Sequence, residues 1–264
     1  MLKVIINCGP CEAFIEKCLA SVLAQTVQEW EAYVTCDPCG DDTFGRATAF
    51  TADPRVRFRL NAARKFSMLN QIESIHRSGT DPEDIIVSLD GDDWFNRADA
   101  LQLIADTYGQ HDCWLTYGSW VTNRLNECGE MWPAYPEGTT NFREWITSGV
   151  RAGALPWPAT AVRTWKRWLW RRIPDADFRD ESGEYFRVAE DRAIMLPLLE
   201  MAGTERAKHI AEPLMMYNQS SAHPELEAEA VKNVRLIHGR PHYSKIAAPG
   251  PLRPRTRTLE WIGC

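Results

Sequence analysis

The stretch LKVIINCGPCEAFIEKCLASVLAQTVQEWEAYVTC, residues 2–36, decides the fold because it reads as a strand, a helix and a second strand. The apolar run LKVIIN is typical of a buried strand, and EWEAYVTC of another. Between them, large apolar side chains recur at helical spacing and form one stripe: Phe14, Ile15, Leu19, Val22 and Leu23. Because two strands joined by a helix usually pair in parallel, the stretch predicts an α/β fold.

The alternation of strand and helix continues along the chain. After a short helix near residues 43–52 come the strand RVRFRL, the helix KFSMLNQIESIHRS, the strand EDIIVSLD and the helix NRADALQLIADTYGQ. This order predicts a Rossmann-like, mostly parallel central sheet flanked by helices. We expect the main domain to span residues 1–222. Residues 223–264 should form a basic C-terminal helix and tail, packed on the domain or extending from it.

The composition is that of a globular protein. The chain has 264 residues, 44% of them apolar and 25% charged, enough for one large α/β domain with an extension. No apolar run approaches the roughly 20 residues of a membrane-spanning helix, and no basic segment leads into an apolar leader. We therefore expect a soluble, cytoplasmic protein.

Two CxxC pairs raise the question of a structural metal. Cys8 and Cys11 end the first predicted strand, and Cys36 and Cys39 end the second. If those strands are neighbours, the four thiols could approach one another and hold zinc. Zinc knuckles, however, are tight turns, whereas Cys11 and Cys39 open helical or turn segments. Reduced thiols of a cytosolic protein are the preferred interpretation.

The stretch SLDGDDWF, residues 88–95, places three carboxylates directly after the fourth predicted strand. Ligands of open α/β sheets bind at the carboxyl ends of the strands, and carboxylate oxygens suit Mg²⁺ or Mn²⁺. Such a cation can neutralise a diphosphate leaving group. The alternative is a turn rich in aspartate that caps the helix beginning near Asn96.

The surrounding motifs resemble family 2 glycosyltransferases of the GT-A fold. The resemblance lies in VIINCGPCEAFIEKCLASVLAQT, in the second strand with its acidic turn, and in LDGDDW, which matches the metal-binding motif of that family. Further on, WLTYGSW, GEYFRVAEDRAIMLPLLEMAG and EPLMMYNQSS resemble a branch often met in phage and viral genomes. The resemblance covers residues 2–245 and implies a nucleotide-sugar donor, most often a UDP-sugar.

The resemblance also implies where the nucleoside of the donor binds. The loop that lies against the nucleobase corresponds to Cys8, Gly9 and Pro10. Asp37 matches one of two paired acids that hold the nucleoside. The other position is Cys36 here, which leaves the choice of base open.

Further residues match the phosphate, sugar and metal positions of the family. Arg64 and Lys65 fall in the segment that faces the donor phosphates, or else are solvated charges at a helix start. Asp90 would orient ribose or sugar hydroxyls. Asp92 and Asp93 would approach the metal, Mn²⁺ or Mg²⁺.

A second acidic pair, Glu190 and Asp191, opens the apolar helix AIMLPLLEMAG. Related enzymes use the aspartate of this pair as a general base, which takes the proton of an acceptor hydroxyl as it attacks the anomeric carbon. One displacement inverts the configuration at that carbon. The alternative is that both acids only complement the helix dipole.

Two features lie beyond these motifs. His223 occupies a position where related enzymes sometimes place a third metal ligand, although a lone loop histidine is more often simply exposed. Glycines and prolines mark residues 124–140 as a loop, a candidate lid over the acceptor.

Basic residues concentrate in two segments of a chain whose net charge is −6. Residues 230–259 hold seven Lys or Arg and no acid, and RTWKRWLWRR at 163–172 interleaves five charges with three tryptophans. Such segments suit a phosphate backbone and stacked bases, or else form an amphipathic helix with its tryptophans inward. Candidate contacts to an acceptor or nucleic acid are Trp157, Arg163, Lys166, Arg167, Arg253, Arg255 and Arg257.

Three functions therefore compete. The first is a metal-dependent, inverting glycosyltransferase (a hexosyltransferase by resemblance) that acts on a saccharide or glycoconjugate. The second has the same chemistry with a hydroxymethylated pyrimidine of phage DNA as acceptor, inside the host cell. The third is an inactive module that binds a sugar nucleotide or nucleic acid, against which the intact acidic residues argue.

Overall fold

The computed structural model describes residues 1–122, 149–153, 157, 159–219 and 224–249. Eight strands form one sheet: β1 (Leu2–Cys8), β2 (Trp30–Cys36), β3 (Val56–Leu60), β4 (Ile85–Asp90), β5 (Trp94–Phe95), β6 (Leu115–Thr122), β7 (Arg163–Lys166) and β8 (Ala207–Tyr217). The helices are α1 (Ile15–Leu23), α2 (Thr43–Thr48), α3 (Phe66–Arg77), α4 (Ala100–Gln110), α5 (Arg167–Trp170), α6 (Glu190–Arg206) and α7 (Glu227–Gly239). The strands lie in the order β3-β2-β1-β4-β7-β6-β8-β5.

The first half of the sheet is parallel, as predicted. β1 lies between β2 and β4 and pairs in parallel with both, and β2 pairs in parallel with β3. α1, α2 and α3 connect these strands. Val4 and Ile6 face one apolar cluster and Ile5 faces another, because successive residues of a strand point to opposite faces. The Rossmann-like α/β prediction is confirmed.

The second half of the sheet departs from simple alternation. β7 is antiparallel to both of its neighbours, β4 and β6, whereas β6 and β8 are parallel and β5 joins β8 in antiparallel fashion. The segment from Arg163 was predicted to be helical or a basic surface. It instead begins as a strand, because Thr164 and Trp165 fill the gap between two buried strands, and only one helical turn, α5, follows.

The tryptophans of residues 163–172 lie in the core. Trp165, Trp168 and Trp170 are each no more than 2% exposed, and they pack in the cluster that also holds α6. These rings therefore cannot stack on bases. The prediction that Trp165 and Trp168 point inward is confirmed, although the segment is a strand and one helical turn rather than a helix. Trp170, which was not assigned to the inner face, is buried as well.

The C-terminal helix α7 packs on the body of the molecule. Ile237 is buried in the core cluster, and Val234 and Leu236 pack against its edge. Arg151 donates to the carbonyl oxygens of Ile237 and Arg240 at the end of α7. Its guanidinium also pairs with the buried Glu200 of α6 at 2.5 Å, which ties α7 to α6. No helix in the described ranges is long and apolar enough to cross a membrane.

Candidate active site

A cavity of about 320 Å³ lies at the carboxyl ends of β1, β2 and β4. The sheet brings together residues that are far apart in the chain, since three parallel strands end at one edge. The cavity is lined by Asn7, Cys8, Gly9, Pro10, Asp37, Arg64, Phe66, Ser67, Asn70, Asp90, Asp92, Asp93, Arg187, Val188, Glu190, Tyr217, Asn218 and Leu226. Most of the predicted donor, metal and catalytic residues are thus at one site.

The acidic turn after β4 does not cap a helix. α4 begins at Ala100, and the side chain of its N-cap residue, Asp99, makes no capping hydrogen bond. The amide of Asp93 donates to the carbonyl of Asp90 at 3.0 Å, which makes the turn tight. Asp93 is 2% exposed and accepts a hydrogen bond from the backbone of Asn218 at 2.8 Å. The turn therefore serves the cavity, and the helix-cap alternative is wrong.

Thiols form the floor beneath this turn. A Cβ atom at Gly91 would lie 2.6 Å from Cys8 Sγ and 3.0 Å from Cys11 Sγ. Cys8 is opposite Cys36 in the β1–β2 pairing, and hydrogen bonds with Cys11 and Cys36, together with burial, raise its pKa. Cys8, Cys11 and Cys36 are free thiols in the structure. No three His, Cys, Asp or Glu side chains within the described ranges are arranged to hold a metal ion by themselves.

Burial, together with repulsion among the carboxylates, raises the pKa of the acids in the cavity. Burial raises the pKa of Asp90 to about 7, and the neighbouring Glu190 adds to the shift. Burial and the charge of Asp90 also raise the pKa of Asp93. Burial and the charge of Asp191 likewise raise the pKa of Glu190. Closely packed oxygen donors that resist ionisation are the donor set expected of a site for a hard divalent cation.

Asp37 lines the cavity, but both of its carboxylate oxygens accept hydrogen bonds from the protein itself. Its Oδ1 accepts hydrogen bonds from Asn61 Nδ2 at 2.8 Å and from the amide of Lys65 at 3.0 Å, and its Oδ2 accepts from the amide of Phe66 at 2.8 Å. These bonds hold the loop that leads from β3 into α3. Asn61 also donates to Asn70, a further residue of the cavity wall.

The two basic residues before α3 have different environments. The ammonium of Lys65 pairs with Glu73 at 2.6 Å on its own helix, and Lys65 does not line the cavity. Its predicted contact with donor phosphates is therefore not supported. Arg64 does line the cavity, and it stacks on the ring of Phe66 at 4.4 Å. Arg187 covers the same ring at 4.1 Å, so two guanidinium groups flank Phe66.

Glu190 and Asp191 begin α6 on the far side of the cavity. Glu190 lines it and accepts a hydrogen bond from Ser67 Oγ at 2.8 Å. Asp191 is 24% exposed and pairs with Arg163 at 3.2 Å. The residue before them, Ala189, has a φ of 70°, a left-handed conformation that costs energy for a residue with a Cβ atom.

The predicted acceptor contacts do not form one surface. Arg167 is 1% exposed and pairs with Asp84, so its side chain cannot reach an acceptor. Lys166 is opposite Ile85 at the start of β4, the end of the strand away from the cavity, and pairs with Glu83. Trp157 is partly buried beneath the guanidinium of Arg192. His223, Arg253, Arg255, Arg257 and residues 124–140 lie outside the described residues.

Sequence reasoning missed part of the cavity wall. Arg187 and Val188 precede the acidic pair, Tyr217 ends β8, and Asn218 follows it. A polar residue at a strand end is the signal that could have found Asn218, as it did Asp90. The others reach the cavity through the packing of α6 and β8, which no local pattern predicts.

Comparison with known families identifies the matching region. Residues 4–172, more than half of the chain, match the family model described as "Glycosyl transferase family 2". No curated protein matches the chain at a significant level.

Solved structures share the fold at low identity. S. aureus TarS 1–349 in complex with UDP-GlcNAc is 16% identical with a TM-score of 0.64, over 89% of this chain and 65% of that chain. A longer S. aureus TarS chain, 15% identical with a TM-score of 0.61, is matched over 38% of its length. Glucosyl-3-phosphoglycerate synthase from Mycobacterium tuberculosis, in complex with Mn²⁺, UDP and phosphoglyceric acid, is 14% identical with a TM-score of 0.58, over 91% and 79% of the two chains.

Proposed function

Because this chain belongs to glycosyl transferase family 2, we propose that it transfers a sugar from a nucleotide-sugar donor to a hydroxyl group of an acceptor. The observation that carries the proposal is the cavity, where the acidic turn after β4 faces the acidic start of α6. A donor bound between them would have its diphosphate beside the acidic turn and its anomeric carbon toward the start of α6. We propose a UDP-sugar as the donor.

Asp92 and Asp93 would hold the divalent cation, Mn²⁺ or Mg²⁺. Carboxylate oxygens are the ligands these ions prefer. Burial and the charges of Asp90 and Asp92 raise the pKa of Asp93 in the protein alone. Since no three described His, Cys, Asp or Glu side chains form a complete site, diphosphate oxygens would supply further ligands. His223 stays a candidate ligand. When bound, the cation would supply positive charge against the departing nucleoside diphosphate.

The acidic start of α6 would activate the acceptor. The acceptor oxygen forms a bond to the anomeric carbon while the bond from that carbon to the diphosphate oxygen breaks. The acceptor proton passes to the carboxylate of Asp191, and the nucleoside diphosphate leaves. This single displacement inverts the anomeric carbon. Ser67 holds the neighbouring Glu190 beside the cavity.

The remaining lining residues would bind the donor. Cys8, Gly9 and Pro10 form the wall at the end of β1, where the nucleobase would lie. Arg64 would face the phosphates, and Asp90 would accept a hydrogen bond from a donor hydroxyl. Asp37 would support this subsite through the loop it holds.

A saccharide or glycoconjugate is the acceptor we propose. The alternative is a hydroxymethylated base of phage DNA. The fold buries Trp165, Trp168 and Arg167 and turns Lys166 away from the cavity, which disfavours this alternative, while Arg253, Arg255 and Arg257 lie outside the described residues. An inactive binding module is disfavoured because Asp90, Asp92, Asp93 and Glu190 line one cavity. The kinship with the phage and viral branch stays a prediction.

Mass spectrometry of candidate acceptors, incubated with a panel of nucleotide sugars and Mn²⁺, tests the proposal. The wild-type protein should add one sugar mass to an acceptor hydroxyl, and Asp92→Asn should lower the yield by roughly 10²-fold or more, as expected when a metal-ligand charge is lost. Asp106→Asn on α4, whose side chain bonds Gln102 away from the cavity, is the matched control. No transfer to any saccharide, lipid-linked sugar or hydroxymethylated DNA would contradict the proposed activity.

A further inference from the structure

Arg163 occupies an unusual place for a basic residue. It is the first residue of β7 and lies opposite Ser88, two residues before the end of β4. Because β7 runs antiparallel to β4, its beginning lies at the edge of the sheet where β4 ends. Arg163 therefore projects from the same edge as the acidic turn, and its side chain is only 14% exposed.

The guanidinium of Arg163 is embedded among acids. Its Nη1 lies 3.2 Å from Asp191 Oδ2. Burial alone would lower the pKa of Arg163, but Asp191, Asp90 and Glu190 outweigh it and raise the pKa. A buried charge is tolerated when opposite charges surround it, so the arginine and the acids of α6 stabilise one another.

We infer that Arg163 is a positioning residue for Asp191. It holds the carboxylate of Asp191, the neighbour in sequence of the cavity-lining Glu190, and offsets the repulsion among Asp191, Glu190 and Asp90. This inference rests on the proposed function, in which Asp191 accepts the proton of the acceptor. It replaces the prediction that Arg163 touches the acceptor, since the guanidinium is engaged with the protein's own acids.

The acids of the site thus divide into two groups. Arg163, a fixed cation of the protein, serves the start of α6, while an exchangeable cation would serve Asp92 and Asp93. The consequence is that loss of Arg163 should slow the transfer step and affect donor binding little.

A double-mutant cycle with Arg163→Gln and Asp191→Asn tests the inference, with kcat and donor KM measured for all four proteins. Asp191→Asn alone should lower kcat by roughly 10²–10⁴-fold, the usual range for loss of a general base. Arg163→Gln alone should lower kcat by roughly 10²-fold, because misplacement of a catalytic group has effects of this size. In the Asp191→Asn background, Arg163→Gln should change kcat by less than about threefold, since residues that act as a unit are not additive. Donor KM should stay within about threefold throughout, because the ion pair of Arg163 is made with Asp191 and not with Asp92 or Asp93, the proposed metal ligands.

Two further variants separate charge from folding. Arg163→Lys keeps the positive charge and should recover about tenfold of the activity lost in Arg163→Gln, although its ammonium lacks the fork of the guanidinium. Lys166→Gln removes a charge from the same strand at the end away from the cavity and should leave kcat unchanged. Thermal denaturation of each variant shows whether it is folded. If Arg163→Gln does not fold, the comparison of Arg163→Lys in the two backgrounds gives the same test.

The outcomes distinguish the two proposals. If Arg163→Gln lowers kcat by the same factor with Asp191 and with Asn at that position, Arg163 does not act through Asp191 and the inference is wrong, while the proposed function stands. An increase in donor KM alone would place Arg163 in the donor site and also overturn the inference. If Asp191→Asn is fully active, the proposed role of Asp191 fails and the inference fails with it.

Discussion

Gly91 shows how one missing side chain shapes the acidic turn. Its amide donates to the carbonyl of Asn7 at 2.9 Å, which draws the turn against the end of β1. At that distance a Cβ atom would overlap Cys8 Sγ, at 2.6 Å, and crowd Cys11 Sγ, at 3.0 Å. Both thiols are buried and cannot move aside easily. The glycine is thus required by close packing rather than by a left-handed backbone.

We expect Gly91→Ala to displace the acidic turn from β1. The free energy of unfolding should fall by about 1–3 kcal/mol, the usual cost of overpacking, and the affinity for UDP with Mn²⁺ should fall with it. Urea denaturation and calorimetry measure the two effects. Gly109→Ala on α4, where a Cβ atom meets nothing within 4 Å, is the control and should be neutral or slightly stabilising. If Gly91→Ala has the stability and affinity of the wild type, the thiols of Cys8 and Cys11 move aside without loss of free energy and the prediction is wrong.

Single residues near the site were predictable where a strand end or a motif marked them. Asp90 ends β4, Asp92 and Asp93 follow it, and the structure places all three at the cavity. The ion pair of Lys65 was not predictable, because only the fold shows that its ammonium binds Glu73, two helical turns away. Arg163 was read as part of a surface patch because its partner, Asp191, lies 28 residues further along the chain.

At the scale of elements, β7 and α5 join the two halves of the sheet. Arg167, the first residue of α5, donates to the carbonyl oxygens of Ile75 and Ser78 at the end of α3. It also pairs with Asp84, which is 5% exposed, at 3.1 Å. A buried arginine with these partners fixes α5 against the end of α3 and the start of β4.

Arg167→Met should therefore destabilise the protein strongly. Without Arg167, the buried Asp84 keeps only the partly exposed N-terminal ammonium, 3.6 Å from its Oδ1, so the cost should approach the about 3–5 kcal/mol of breaking a buried pair. The double variant Arg167→Met/Asp84→Asn should recover a large part of this loss, because no unpaired charge remains. Arg171→Met, on the exposed side of the same segment, should change stability by less than about 0.5 kcal/mol. Urea denaturation of the wild type and the three variants measures the free energy of unfolding. If Arg167→Met loses no more of it than Arg171→Met, the Arg167–Asp84 pair does not stabilise the fold.

Periodicity predicted the first half of the sheet well and the second half poorly. β1, β2 and β4 are mostly buried apolar runs and β3 is an edge strand, and helices separate all four, so each local pattern agrees with the final fold. RTWKRWLWRR has both charges and large apolar side chains, which fit an exposed helix as well as a buried strand. The neighbours β4 and β6, which are distant in sequence, decide in favour of the strand.

At the scale of the whole molecule, charges balance between distant parts of the chain. The basic C-terminal region meets acids of the main body: Lys232 lies 3.4 Å from Glu181, and Lys245 lies 2.7 Å from Glu205. Arg240 donates to backbone carbonyl oxygens of Asp177 and Arg179. The described part of this region is thus charge-matched to the body, which weakens the case for a nucleic-acid surface there. Acidic charge remains concentrated at the cavity.

This concentration makes stability depend on pH. In the folded protein the pKa of Asp90 is raised from 3.8 to about 7, and those of Asp93 and Glu190 are raised as well. A raised pKa means that the folded state holds a proton that the unfolded chain has lost. The stabilisation is therefore fully present below the ordinary pKa and is lost as the pH rises through about 7. Without a divalent cation, this part of the stability should decline between pH 5 and pH 8.

A divalent cation should reverse that decline, because it binds the ionised carboxylates and competes with protons. We expect Mn²⁺ to raise the melting temperature clearly at pH 8 and little at pH 5, by about 2–4 °C for each kcal/mol of binding free energy in a chain of this size. Asp90→Asn removes one titrating group, so its melting temperature without metal should fall less between the two pH values. Differential scanning calorimetry of both proteins, with Mn²⁺ and with a chelator, makes the comparison. A shift by Mn²⁺ that is equal at pH 5 and pH 8 would mean that the cation binds elsewhere than at the carboxylates of the cavity.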